Sequence, residues 1–150
     1  FFCHGYNING VMLQLSDDLK SVSVVWRTDV LDTHHGGYEE VNGTIYGSNW
    51  INNNQGNWCA IDWNTGAKGY ETTWTGGKGK GSIIAADGMQ YCYDERRGAV
   101  ALVNPDPAKF DIVSEFRITK GVGPHWAHPV IVNGVLYIRH GFALMAYKVK

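Results

Sequence analysis

Short runs of alternating apolar and polar residues, broken by Asn-Gly or Asp-Gly pairs, organise this chain from end to end. "GGYEEVNGTIYGSNW", "KGSIIAADGMQYCYDE" and "AHPVIVNGVLYIRHG" each read as a strand, a two-residue turn and a second strand. A period of two predicts half-buried strands, and Asn-Gly or Asp-Gly supplies the left-handed pair that a tight hairpin needs. The turns Asn42-Gly43, Asp87-Gly88 and Asn133-Gly134 are spaced 45 and 46 residues apart. Third strands follow as "NWCAIDWN", "GAVALVNP" and "FALMAYKV", and fourth strands twice, as "AKGYETTW" and "FDIVSEFRI". The start fits the same frame without its first strand, as "FFCHGYN", "GVMLQLS" and "SVSVVWRT". No helical periodicity of useful length competes with this pattern.

Four-stranded antiparallel meanders repeating at this interval predict an all-β fold, a β-propeller, in which each blade covers the face of its neighbour. About four blades are expected, at roughly 1–29, 30–75, 76–120 and 121–150, with three, four, four and three strands. The incomplete first and last blades point to part of a larger ring, completed by self-association or by a missing chain segment. Their uncovered faces would favour association.

Composition narrows the partners. With 44% hydrophobic and 18% charged residues, 150 residues suffice for one folded domain with its own core. The 13 basic and 14 acidic side chains nearly cancel, which argues against nucleic acid as a partner. No apolar run approaches the roughly 20 residues of a membrane span. "FFCHGYNING" has neither the basic start nor the cleavage site of a signal peptide, yet it opens in mid-strand without Met, so the compartment stays open. Cys3, Cys59 and Cys92 are odd in number and form no C-x-x-C pair; free buried thiols are expected, with disulfide status left open.

"AIDWNTGAKGY" resembles the Ala-x-Asp-x-x-Thr-Gly-x-x-x-Trp repeat of the PQQ-like (quinoprotein-type) β-propellers. Ala60, Asp62, Thr65 and Gly66 match, and Tyr70 stands at the Trp position. The resemblance implies that Ala60 and Tyr70 dock adjacent blades while Asp62, Thr65 and Gly66 close the turn between third and fourth strands. The first blade keeps Trp26 and the third keeps Ala101. The resemblance further implies a C-terminal part of a larger bacterial propeller, WD40-like in architecture, periplasmic or extracellular. The family's enzymes hold PQQ and calcium with a Trp floor, acidic and amide ligands, an Asp base and adjacent cysteines. This chain has tryptophans and amides but no adjacent cysteines and no acidic residue that matches the base.

In such meanders the start of the first strand and the end of the second lie at the blade end opposite the Asn-Gly turns, at the channel mouth. That places His34, His35, Trp50, Asn52, Asn53, His125, Trp126, His128 and His140 there as candidate ligand-binding residues. Aligning the turns equates His34 with Gly79 and His125, and His35 with Lys80 and Trp126. Residues three apart on a strand face opposite sides, so His125 and His128 are not expected to share a metal. Adjacent His34 and His35 are expected to diverge likewise, no carboxylate in these loops completes a set, and no metal is assigned. Trp50, Trp58 and Trp126 beside Asn52, Asn53 and Asn54 suit a neutral polyol, although Trp50 and Trp58 also read as braces of blade edges. Asp94, Glu95, Arg96 and Arg97 read as a solvated tip, and "GGKGKGS" lacks the residue order and following helix of a phosphate loop. The expected function is a non-catalytic module that binds a small polar ligand or protein at the channel mouth, or acts as scaffold. The alternative is a quinoprotein-type oxidoreductase using PQQ and calcium, whose site needs the complete ring; catalytic residues are unknown.

Overall fold

The computed structural model describes residues 1–77 and 79–149, and among these no residue is helical. Four antiparallel sheets follow one another along the chain. The first holds β1 (Phe2–Cys3), β2 (Gly10–Leu15) and β3 (Val22–Thr28); the second holds β4 (Tyr38–Val41), β5 (Thr44–Ser48), β6 (Trp58–Asp62) and β7 (Lys68–Thr72). The third holds β8 (Gly81–Ala86), β9 (Met89–Asp94), β10 (Ala99–Asp106) and β11 (Lys109–Arg117). The fourth holds β12 (Val130–Val132), β13 (Val135–His140) and β14 (Ala143–Lys148). Every sheet is a meander in sequence order.

The turns explain the register. Asn42 and Gly43 have φ of 52° and 80°, Asp87 and Gly88 51° and 74°, Asn133 and Gly134 50° and 72°. Positive φ at both central residues twists a two-residue turn the way its strands twist. A bulge interrupts the pairing at Met12/Leu13, Ala60/Ile61 and Leu102/Val103, the same point of three successive sheets. It identifies β2 as a third strand, as the sequence frame of the first blade requires. Between β6 and β7 the Asp62 carboxylate accepts from the Asn64 and Thr65 amides and the Thr65 hydroxyl, which closes the turn. Gly66 continues it at φ 71°, and a side chain there would strike the Trp26 indole of the preceding sheet.

Three apolar cores lie between the sheets, one per junction. Met12, Leu31, Ile45, Cys59 and Ile61 fill the first. Tyr46, Trp58, Ala60, Tyr70, Trp74, Cys92 and Val103 contribute to the second, and Tyr91, Tyr93, Val100, Leu136 and Ile138 to the third. The middle sheets thus bury both faces and need apolar residues at consecutive positions, as β5 and β6 show, whereas the end sheets bury one face. Cys3, Cys59 and Cys92 are free thiols, and burial raises all three above the ordinary thiol range. No helix of the described residues is long and apolar enough to cross a membrane.

Candidate functional site

The residues that lead into the first strands of the last three sheets converge. His35, Lys80 and Trp126 occupy one ring position and meet around Glu95, which follows β9. The hairpin register sets the centre of this group. Gly81 pairs with Asp94, and the Glu95 amide donates to the Lys80 carbonyl at 3.1 Å, so Lys80 and Glu95 face each other one rung further on. Lys80 Nζ donates to Glu95 Oε1 at 2.6 Å and to the carbonyls of Asn52 (3.2 Å) and Asn53 (3.1 Å). All three ammonium protons are used, which makes burial of the group tolerable. His35 Nε2 donates to the second Glu95 oxygen at 2.6 Å. The Trp126 ring stands nearly edge-on to His35, 5.7 Å between centroids. Tyr6, bonded through its hydroxyl to His34 Nε2 at 2.8 Å, forms the opposite wall. The half-open space between them is about 300 Å³, lined by these residues and Asn53.

The charges are fixed by these contacts. Burial pushes the Glu95 carboxyl up, but hydrogen bonds from His35 and Lys80 and the ammonium charge outweigh it and hold the group below the usual carboxylate range. His34 is lowered by burial, then by the charges of His35 and Lys80. One sheet further on the chemistry differs. His125 bonds Tyr93 through Nδ1 at 2.6 Å and stacks on His140 at 3.7 Å with planes 20° apart. His140 faces the Lys120 carbonyl with Nδ1 (2.8 Å) and the Gly123 carbonyl with Nε2 (2.7 Å). Carbonyls only accept, so both bonds form together only on the imidazolium. Burial and then the neighbouring His140 push His125 down to about 4.

The candidate residues separate accordingly. His34, His35, Asn53 and Trp126 line the mouth cavity, while His125 and His140 are buried away from it. His34 and His35, expected to diverge, lie side by side with ring centroids 5.0 Å apart, because the chain bends at both residues and strand alternation does not apply. His128 lies outside the cavity and bonds the His35 carbonyl through Nε2 at 2.8 Å. Trp50 packs on Tyr6, and Asn52 contributes its carbonyl to Lys80 while its side chain bonds Gln55. Trp58 is a brace, stacked on Phe110 and edge-on to Trp74 in the junction core. The segment from Asp94 to Arg97, expected as a solvated tip, is buried in its first half and exposed only at Arg96 and Arg97. A carboxylate therefore does stand beside His35, supplied by the next sheet across a blade junction. Lys80, equated by the repeat with His35 and Trp126 but not named as a candidate, is the buried partner; Lys78 of the same loop lies outside the described residues.

These residues do not fit the quinone and calcium of the alternative. Glu95, the carboxylate that lines the mouth cavity, is already neutralised by Lys80, and among the described residues no three His, Cys, Asp or Glu side chains are grouped to hold a metal. A larger cleft of about 510 Å³ is lined by Ile51, Gln55, Thr73, Trp74 and Arg96, and among the described residues that line it none is a buried ionisable group.

Successive antiparallel sheets of three or four strands, facing one another through apolar junctions, define a β-propeller. The fold is similar to that of BamB from Moraxella catarrhalis, with a TM-score of 0.62 and 14% sequence identity over 93% of this chain. The chain spans 44% of the length of that protein. No protein-family model matches the sequence, and no curated protein matches it.

Proposed function

We propose that the chain is a non-catalytic propeller module, its blades at 1–29, 30–75, 76–120 and 121–150, that binds a small neutral polar ligand at the channel mouth. The observation that carries this reading is the convergence of His35, Lys80 and Trp126 from three successive blades on Glu95, beside a cavity. Lys80 has no proton left for an anion, and Glu95 has no uncompensated charge for a cation. A ligand meets a polar but neutral wall and one exposed indole, since Trp126 is 59% exposed. A cavity of about 300 Å³ stands at the lower end of ligand pockets, of size for a single ring. Glu95, paired twice and held ionised, is a poor general base, which supports binding rather than catalysis. The PQQ-like repeat in "AIDWNTGAKGY" supports a bacterial, periplasmic or extracellular setting.

Titrating ¹⁵N-labelled protein with a panel of neutral, anionic and cationic small polar molecules tests this. Neutral members should shift the Trp126 indole N–H resonance, and Trp126→Ala should abolish their saturable binding while leaving the fold intact. Binding that survives Trp126→Ala, or a panel that moves no mouth resonance, would sink the reading.

A further inference from the structure

We infer that the outer rim between the second and third blades takes an extended peptide that carries an apolar and an acidic side chain. This does not rest on the ligand reading, because the mouth cavity shares no lining residue with this groove. Both blades hold four strands, so the junction lies wholly within the chain, and its walls, β7 and β11, are the outermost strands of complete sheets. β7 pairs with β6 on one side, and its other edge presents main-chain N–H and C=O groups. Beyond β7 the chain continues through Thr73, Trp74 and Thr75, a segment that two clefts share. The first cleft, about 350 Å³, runs between β7 and the start of β11, with Tyr70, Phe110 and Ile112 in its wall. The second, about 510 Å³, lies toward the mouth and is lined by Ile51, Gln55 and Arg96. Trp74 fixes the ridge between them: its indole is buried edge-on to Trp58 and donates to Glu115 Oε2 at 2.8 Å. Thr73 and Thr75 on either side of it are left exposed.

The occupant follows from what these walls leave unmet. Lys109, at the first cleft, is paired with Asp111 at 3.0 Å, so that cleft offers rings and methyl groups with no free charge. Arg96, at the second, has no carboxylate within ion-pair reach among the described residues. Its Nη1 donates to the Asn54 carbonyl at 3.0 Å, which holds the guanidinium in place. The acids that border the groove are occupied: Glu71 accepts from Asn49 and Asn57 and pairs with Lys68, and Glu115 accepts from Trp74. An apolar side chain is therefore the complement of one cleft and an acidic one of the other, with threonine hydroxyls and a strand edge between them. A compact ligand fills one cleft only. An extended chain reaches both, offers its own main chain to the β7 edge and sends successive side chains to opposite sides. With Trp74 and Arg96 already held, little ordering opposes binding.

Selection of a phage-displayed random peptide library on the protein should enrich sequences that join apolar residues to Asp or Glu. A synthetic peptide from that selection should shift the ¹⁵N amide resonances of Thr72, Thr73 and Thr75 and leave the Trp126 indole unmoved. Arg96→Glu should weaken this peptide about tenfold, and exchanging the peptide's acid for Lys should restore binding to that variant. Ile112→Asp, at a partly exposed position in the other cleft, should weaken it independently, with circular dichroism confirming the fold of both variants. A selected peptide that binds both variants as it binds wild type would overturn the inference. So would a library that yields no sequence moving these amides, or a maltooligosaccharide that moves them where no peptide does, which makes the groove a sugar site.

Discussion

Between the second and third blades the mouth is held by full charges, Lys80 against Glu95 with His35 behind them; one junction further on it is held by stacked imidazoles. The positions are the same. Trp126 stands where Lys80 stood and Gly141 where Glu95 stood, while His125 and His140 replace Gly79 and Asp94. With no side chain at Gly141 to meet it, Trp126 turns outward to the cavity, and the space below is filled by His125 on His140. A repeat therefore specifies where buried polar groups go and leaves their chemistry free. Each junction pairs its central buried group in its own way: the first holds the Lys80 ammonium with an ion pair and two carbonyls, the second holds the histidines with a tyrosine and two carbonyls.

The charged junction is the one a single substitution damages most. Removing one member of a buried pair strands the other, at a cost of about 3 kcal/mol or more. Lys80→Met should lower unfolding stability by about 3 kcal/mol, the low end because His35 still bonds Glu95. Lys80→Met/Glu95→Leu should recover most of that loss in urea titrations. Equal losses in the single and double variants would show that the pair is not what holds this junction.

How much of this contrast the sequence carries depends on the range of each contact. The hairpins are local and were readable from their Asn-Gly and Asp-Gly pairs, and the Asp62-Thr65-Gly66 turn, equally local, was implied by the repeat that "AIDWNTGAKGY" resembles. The Lys80–Glu95 rung was readable in principle, because the two-residue turn at Asp87-Gly88 pairs Ala86 with Met89 and every rung outward from it. Its burial was not, since that comes from the Asn52 and Asn53 carbonyls of the preceding blade, which turns "DERR" from an apparent solvated tip into half of a buried site. His35 meets Glu95 over 60 residues and His128 meets the His35 carbonyl over 93, distances at which only the angle between blades decides. The expected divergence of His34 and His35 failed for a related reason: alternation governs strands, and these residues sit on the bend before one.

The histidine junction should reveal itself through pH. His125 is pushed from 6.5 down to about 4 in the folded chain, so between these values the unfolded chain binds the extra proton. Its contribution is present above about pH 6.5 and is lost as pH falls toward 4. The loss amounts to about 2 kcal/mol, less than the full shift would give because the ring edge is partly solvated. Glu95, held low, adds a loss of the same sign at lower pH, so the comparison needs a variant. In His125→Gln the fall in stability between pH 7 and 4.5 should be smaller than in wild type; parallel curves would place the proton elsewhere.

The smallest effect separates the two ends of the segment that joins the junctions. Residues 125–128 run from the buried His125 to the exposed His128, whose one bond reaches the His35 carbonyl at 2.8 Å. An exposed bond of this kind contributes under about 1 kcal/mol, because water replaces either partner. His128→Ala should therefore leave the urea midpoint nearly unchanged. Amide exchange should nevertheless rise locally from Trp126 to His128 and stay protected at His125, whose own amide donates to the Glu95 carbonyl and whose ring is stacked. Exchange that rises equally at both ends would show the segment opening as a unit, with the histidine stack and the mouth bond acting as one junction instead of two.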